Sequence, residues 1–347
     1  MRNVRQPSRR DVVAGIAAAS TAVAAPSIVR AQASELRVFA WEGYAEPEWV
    51  GPFEQATGAR ASIVYAGSVD EMFARMQGSQ GQDFDVLIFD TSLFDRYRAG
   101  NLIQAADPGR LANYSNLAPE FQRVEGLWDG DRTYGIPFAW GSLPLIYDAD
   151  AFPTAPESWE VMWDSQYAQQ VIAVDDANNQ IVVAALVLGL PDPYNLSNAE
   201  FEQVKEKLIA QKAQLLTYYA GFDDGVSIFA QNNIKLMLSM GELQLRALRE
   251  MGVNAALTIP REKAIGWLDC WVISAGARDL DLAHAWLDQC IAEPIGKVVT
   301  EKAGYGNTTN LAANTEAGLT YADRLSWLQA SEDYEKRLAI WNEVKAS

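Results

Sequence analysis

The side chains best suited to hold a charged ligand recur where short apolar runs end. In "FAWEGY" Trp41, Glu42 and Tyr44 follow such a run, and in "LIFDTS" Asp90 closes another. "IAVDDANN" sets Asp175 and Asp176 after a third, "GWLDCW" places Trp267 and Asp269 inside an apolar stretch, and "KAGYGNTTN" adds Tyr305 in a glycine-bearing loop. Aromatic faces with a few carboxylates suit an organic ammonium. A ring face contributes up to about 2 kcal/mol once water is excluded. A carboxylate about 4 Å from the ammonium contributes about 4 kcal/mol at an effective dielectric of 20, before the cost of desolvation. The charge pair is the larger effect, while the rings exclude water and suit methylene chains.

Each residue also has a plainer reading. Trp41 and Tyr44 can be packing residues, one of Asp175 and Asp176 can cap the following helix, and Glu242, after "LMLSMG", can sit on a solvated helix turn. Asp269 is harder to dismiss, because an unpaired buried carboxylate is costly. Other chemistry finds little support. GxGxxG, P-loop, GxSxG and HExxH patterns are absent. The single His284 has the spacing of a packed helix, and one His with two Cys makes a zinc site or a histidine-activated nucleophile a poor reading. An enzyme would need a convergent acid–base pair with separated pKa values. No catalytic residue, metal or cofactor is expected. Cys270 and Cys290 suffice for one bridge in an oxidising compartment and equally for two buried thiols, and spacing does not choose.

The elements that must position these residues read as βα units. "LRVFAW", "ASIVYAG" and "FDVLIFD" read as strands, each followed by a helical pattern: "EPEWVGPFEQATG", "VDEMFARMQ" and "SLFDRYRAGNL". The pattern restarts after "YGIPFAWGSLPLIYD": helical "ESWEVMWDSQY", the strand "QVIAVDD", the helix "NQIVVAALVLGL", the helix around "SNAEFEQVKEKLIAQK", the strands "IKLMLSMG" and "GWLDCWVIS", and the helix "LDLAHAWLDQCIA". This alternation predicts an α/β fold with a parallel sheet, and about 314 residues beyond the export signal suggest two lobes. The chain is expected to cross between lobes through strands near Ala139 and Trp267. Carboxyl ends of strands face the ligand crevice in open parallel sheets, so the aromatic and acidic positions are expected to converge there.

The N-terminus addresses location. "SRRDVV" sets Arg9 and Arg10 before a weakly apolar run that Pro26 interrupts and that ends at "RAQA". Residues 1–33 read as a twin-arginine export signal cleaved after Ala33; the competing reading is a retained N-terminal membrane helix. Of the 28 basic and 45 acidic residues in the 347-residue chain, 23 and 44 lie beyond residue 33, so the exported part carries a net charge of −21. A nucleic-acid binder needs the opposite sign.

Taken in order, "FAWEGY", "FDVLIFDTSLFDRYRAGNLIQ", "NYSNLAP", "YGIPFAWGSLPLIYD", "IAVDDA", "GWLDCWVISAGA" and "KAGYGNTTNLAA" give the chain a resemblance over essentially its whole exported length. It resembles the periplasmic spermidine/putrescine (polyamine)-binding proteins of bacterial ABC importers. The resemblance implies a two-lobed periplasmic-binding-protein fold, each lobe a central sheet flanked by helices, closing on its ligand. The expected lobes are 34–139 with 268–314, and 140–267 with 315–347. It also implies a monomer that delivers a small cationic ligand to an importer permease, without nucleic acid. The family's ligand residues fall on Trp41, Tyr44, Asp90, Thr91, Asp176, Trp267, Asp269 and Tyr305, with Glu242 nearby. The departures are Asn179 where a glutamate is frequent, Ser239 where a tryptophan is common, Ser92 where a tyrosine is common, and Asp90 where a serine is usual. A different solute on the same architecture, such as ferric iron, is the alternative suggested by the adjacent Tyr218 and Tyr219, whose position favours packing.

Overall fold

The structure, a computed structural model, describes residues 34–331 and 333–347; the expected export signal, with Arg9 and Arg10, lies outside the described residues. Two mixed sheets organise the chain. The first has eight strands. Its main order runs Gly306–Asn307, Ile136–Leu143, Ala264–Ser274, Val86–Asp90, Glu35–Ala40 and Arg60–Tyr65, and the short strands Leu325–Trp327 and Ile103–Gln104 also pair with Ala264–Ser274. The second has five strands, in the order Leu215–Tyr219, Val171–Val174, Leu236–Leu238, Leu145–Asp148 and Ala255–Thr258.

Alternation decides what each face of the first sheet buries. Leu36, Val38 and Ala40 point to one side, with Val86, Ile88, Trp271 and Ile273. There they meet Trp49 and Phe53 of the helix Pro47–Thr57 and Trp286 and Leu287 of the helix Leu280–Cys290. Phe39, Leu87 and Phe89 point to the other side, toward Met72 and Met76 of the helix Val69–Ser79. In the second sheet's half, the helices Ala177–Val187, Asn198–Lys212 and Tyr334–Ala346 form a separate cluster through Ile181, Phe201, Val204, Leu208, Ile340 and Trp341.

The first three strands are parallel, as their pattern predicts. The sheet as a whole is not, because Ala264–Ser274 runs antiparallel to both Val86–Asp90 and Ile136–Leu143. The connection explains the direction. The chain leaves the first sheet along Ile136–Leu143, passes Pro144 and enters the second sheet as Leu145–Asp148. It returns from Ala255–Thr258 through residues 259–263, so Ala264–Ser274 must run back against the outgoing strand. The two passages lie side by side, with Leu145 opposite Thr258 and Leu143 opposite Ile265.

One helix expectation fails. "ESWEVMWDSQY" forms two short 3₁₀ turns, Trp159–Trp163 and Ser165–Tyr167. The Ser158 hydroxyl accepts from the Glu160 amide and the Asp164 carboxylate accepts from the Gln166 amide, so each polar residue starts its own turn and interrupts a continuous helix. Cys270 and Cys290 are both free and buried. His284 accepts a hydrogen bond from the Asp107 amide through Nε2 at 3.0 Å and lies within 2.7 Å of the Leu280 carbonyl at Nδ1, so it ties its helix to a neighbouring loop.

Candidate ligand-binding site

The strands Glu35–Ala40 and Val86–Asp90 end beside each other, and Ala264–Ser274 passes Asp90 in the opposite sense. A cavity of about 280 Å³ opens there, lined by Trp41, Glu42, Tyr44, Asp90, Trp267, Asp269 and Tyr305. The structure therefore brings together six of the nine residues expected from sequence. Glu42, from the same "FAWEGY" segment, is exposed and also lines the cavity. The rest of its segment does other work: Glu46 and Glu48 pair with Lys302, and Trp49 is buried in the core.

The aromatic walls support one another. Trp267 meets Tyr305 edge to face with ring centroids 4.8 Å apart, and Tyr44 meets Tyr305 at 6.4 Å and Phe138 at 5.4 Å, all near perpendicular. Trp267 lies opposite Gly141 on the outgoing strand. A Cβ on Gly141 would stand 2.3 Å from the indole, so the missing side chain is what lets the ring lie against the strand.

The carboxylates define the electrostatics. Asp269 and Asp90 are direct partners across the antiparallel pair, and Asp269 is only 8% exposed. Burial, and after it the charge of Asp90, pushes the Asp269 carboxyl up to about 8, against a hydrogen bond from Tyr44 that favours the ionised form. Burial also raises the Asp90 carboxyl, although it accepts from the Ser92 amide at 2.8 Å. The phenols respond in the same sense: Tyr44 is raised by burial and then by Asp269, and Tyr305 by burial, Asp269 and Glu242 in that order. Among the described residues, no lysine, arginine or histidine offsets Asp90 or Asp269. A buried carboxylate beside a half-buried one, with no cation between them, is costly, and the cavity beside them has the lining to admit one.

The other three expected residues lie outside this cavity. The Thr91 hydroxyl donates to the Leu328 carbonyl at 2.6 Å, which fixes the turn after Asp90. Asp176 caps the helix Ala177–Val187 by accepting from the Asn179 amide at 2.7 Å, while Asp175 pairs with Lys345 and accepts from the Trp341 indole. Glu242, expected on a solvated turn or in the site, opens the helix Glu242–Glu250 and accepts from the Ser142 amide and hydroxyl and from the Tyr321 hydroxyl. It lines a separate cavity of about 580 Å³ with Arg246 and Tyr321, and is not solvated as a free surface acid would be. Ser239 is fully buried and donates to the Pro144 carbonyl at 2.8 Å, which ties the second sheet to the crossover.

The paired tyrosines do not form a metal site. Tyr218 and Tyr219 are successive strand residues, so they point to opposite faces. Tyr218 packs edge to face on Trp341, and the Tyr219 hydroxyl lies within hydrogen-bonding distance of the Leu238 carbonyl and Gln244 Oε1. No group of three or more His, Cys, Asp or Glu among the described residues is arranged to hold a metal ion.

Two sheets joined by adjacent crossover strands, with an aromatic and acidic cavity at the strand ends, make a solute-binding architecture. Residues 48–322 match the bacterial extracellular solute-binding protein family, and the chain belongs to it. The spermidine/putrescine-binding periplasmic protein of Salmonella typhimurium is 26% identical over 285 residues, covering 80% of this chain and 78% of the relative. The putrescine/cadaverine-binding protein of Pseudomonas aeruginosa is 25% identical over 342 residues, covering 90% and 94%. The crystal structure of the spermidine/putrescine ABC transporter substrate-binding protein PotD from Streptococcus pneumoniae superposes with a TM-score of 0.78 at 20% identity, covering 90% of this chain and 99% of that one. The two-lobed fold expected from the sequence is the fold of these neighbours.

Proposed function

We propose that this protein captures a putrescine- or spermidine-like polyamine, or a related small organic cation, and delivers it to the membrane permease of an ABC importer. The observation that carries the reading is the unpaired Asp90–Asp269 couple inside an aromatic enclosure. An ammonium supplies the missing countercharge there, and Trp41, Tyr44, Trp267 and Tyr305 cover the methylenes. The names of the relatives in Salmonella and Pseudomonas support the ligand class. On this reading the two sheets mark two lobes, joined at Pro144 and through residues 259–263, and ligand contacts from both lobes stabilise a closed state. Asp176 and Glu242, which lie outside the cavity as described, are then the second lobe's acids that meet the ligand on closure. The protein acts as a monomer in the periplasm and has no catalytic role.

A thermal-shift screen of residues 34–347 against polyamines, amino acids, sugars and ferric iron tests this. Stabilisation by diamines or triamines alone is expected, and stabilisation by another class without any response to amines overturns the reading. Export is tested separately: replacing Arg9 and Arg10 by Lys should leave full-length precursor in the cytoplasm, and normal periplasmic accumulation would remove the twin-arginine route.

A further inference from the structure

Asp90 closes the strand Val86–Asp90 directly opposite Asp269 of the antiparallel strand Ala264–Ser274. Directly opposed residues of an antiparallel pair hold their Cβ atoms about 4.5–5.5 Å apart, and both acids line one cavity. Two carboxylates on side chains that close, one buried and the other half-buried, with no cation beside them, resist ionising together. We infer, resting on the reading above, that Asp90 and Asp269 hold one proton between them while the cavity is empty and release it when an ammonium enters, so that capture of the cation is coupled to proton release.

The proton balance is simple. The empty couple carries one neutral and one ionised carboxyl, a single negative charge. The bound ammonium keeps its own proton, both carboxylates ionise against it, and the displaced proton leaves to solvent. The groups facing the couple do not supply an alternative countercharge. They are Glu42 and Tyr44 from the loop after Glu35–Ala40, Trp267 from the same strand as Asp269, Ala139 from the outgoing strand, Tyr305 from its loop, and Ser92 and Tyr194 on the side of Asp90, while Cys270, next to Asp269, points to the opposite face. Arg337, which acts on Tyr194, is itself held by Asp333, Asn178 and the Pro193 carbonyl. The raised carboxyls of Asp269 and Asp90 agree in direction with a shared proton.

The test is calorimetric titration of residues 34–347 with putrescine at neutral pH in phosphate and in Tris, buffers of very different ionisation enthalpy. The expected result is a buffer-dependent enthalpy corresponding to the release of most of one proton per ligand. Affinity should rise with pH between 6 and 8, by at most tenfold per unit for a single proton. Asp90→Asn, checked for an intact melting transition, should reduce the proton release while retaining measurable binding. Tight binding with the same enthalpy in both buffers and a flat affinity from pH 6 to 8 overturns the shared proton and leaves the polyamine reading standing. Failure of every amine to bind removes that reading, and the inference with it.

Discussion

Asp85 and Asp90 sit at the two ends of one buried strand and have opposite environments. Asp85, 1% exposed at the amino end, accepts from the Arg37 guanidinium at 2.7 and 3.0 Å and from the amides of Arg37 and Arg278. Burial alone would raise its carboxyl, but the hydrogen bonds and charge of Arg37, with the Arg278 amide, hold it below the usual carboxylate range. Asp90, at the carboxyl end, meets another carboxylate and is raised. The sheet thus pairs a buried acid with a cation where the strands begin and leaves two acids without a countercharge where they end. The first is a structural ion pair. The second costs the empty protein stability, which on the proposed reading a bound cation recovers.

That contrast can be broken from either side. The largest effect on stability is expected from Asp85→Asn, which strands Arg37 beside a neutral group. Chemical denaturation should show a loss of about 3–5 kcal/mol, the range for breaking a buried pair, with amine affinity unchanged in the folded fraction. Its contribution is present above the unfolded carboxylate pKa and is lost as pH falls through the depressed folded value.

Asp269→Asn should behave in the opposite way. Binding of the best amine weakens by about 2–5 kcal/mol, while the empty protein stays as stable or gains stability. The sign follows from the raised carboxyl. Between the unfolded value near 4 and the folded value of about 8, the folded state binds more protons, so this group's contribution to stability falls as pH rises. The melting temperature of the mutant should therefore exceed that of the unmodified protein most clearly at pH 8, with the difference closing toward pH 4. An unstable mutant that binds amine normally would place Asp269 with Asp85, in the scaffold.

Gly141→Ala sharpens the comparison without touching a charge. Overpacking of this kind typically costs about 1–3 kcal/mol; here it falls on the Trp267 wall, so amine affinity should drop and tryptophan fluorescence should change. Native affinity in the alanine variant would remove Trp267 from the wall.

The smallest effect concerns ligand length. Asn179 and Ser239 replace a carboxylate and an aromatic of the resembling family, and Ser239 is turned into the crossover. A shorter diamine should bind at least as tightly as spermidine. A tenfold preference for spermidine over every shorter amine, about 1.4 kcal/mol, would contradict this.

Periodicity made much of this fold legible. The runs "FDVLIFD" and "GWLDCWVIS" read as strands in the sequence, and strand alternation sets Trp267, Asp269 and Trp271 on one face of the second. Trp267 and Asp269 line the cavity, and Trp271 continues the same face into the core beneath it. What sequence could not supply was pairing between distant segments. Nothing local announces that Asp269 lies opposite Asp90, or that the strand carrying it runs antiparallel. Gly141 was missed because its importance lies in an absent side chain, and only the cross-strand register shows which ring needs the space. Asp175 and Asp176 look equivalent in sequence; Lys345 and the Trp341 indole, both on the C-terminal helix, separate them.

The most direct measurement is a crystal structure of residues 34–347 grown with putrescine. An amine nitrogen within hydrogen-bonding distance of the Asp269 and Asp90 carboxylates is expected, with the methylenes against Trp41, Tyr44 and Trp267. An amine that saturates the protein in solution yet occupies another cavity in the crystal, such as the one lined by Glu242 and Arg246, would contradict the assignment of this site.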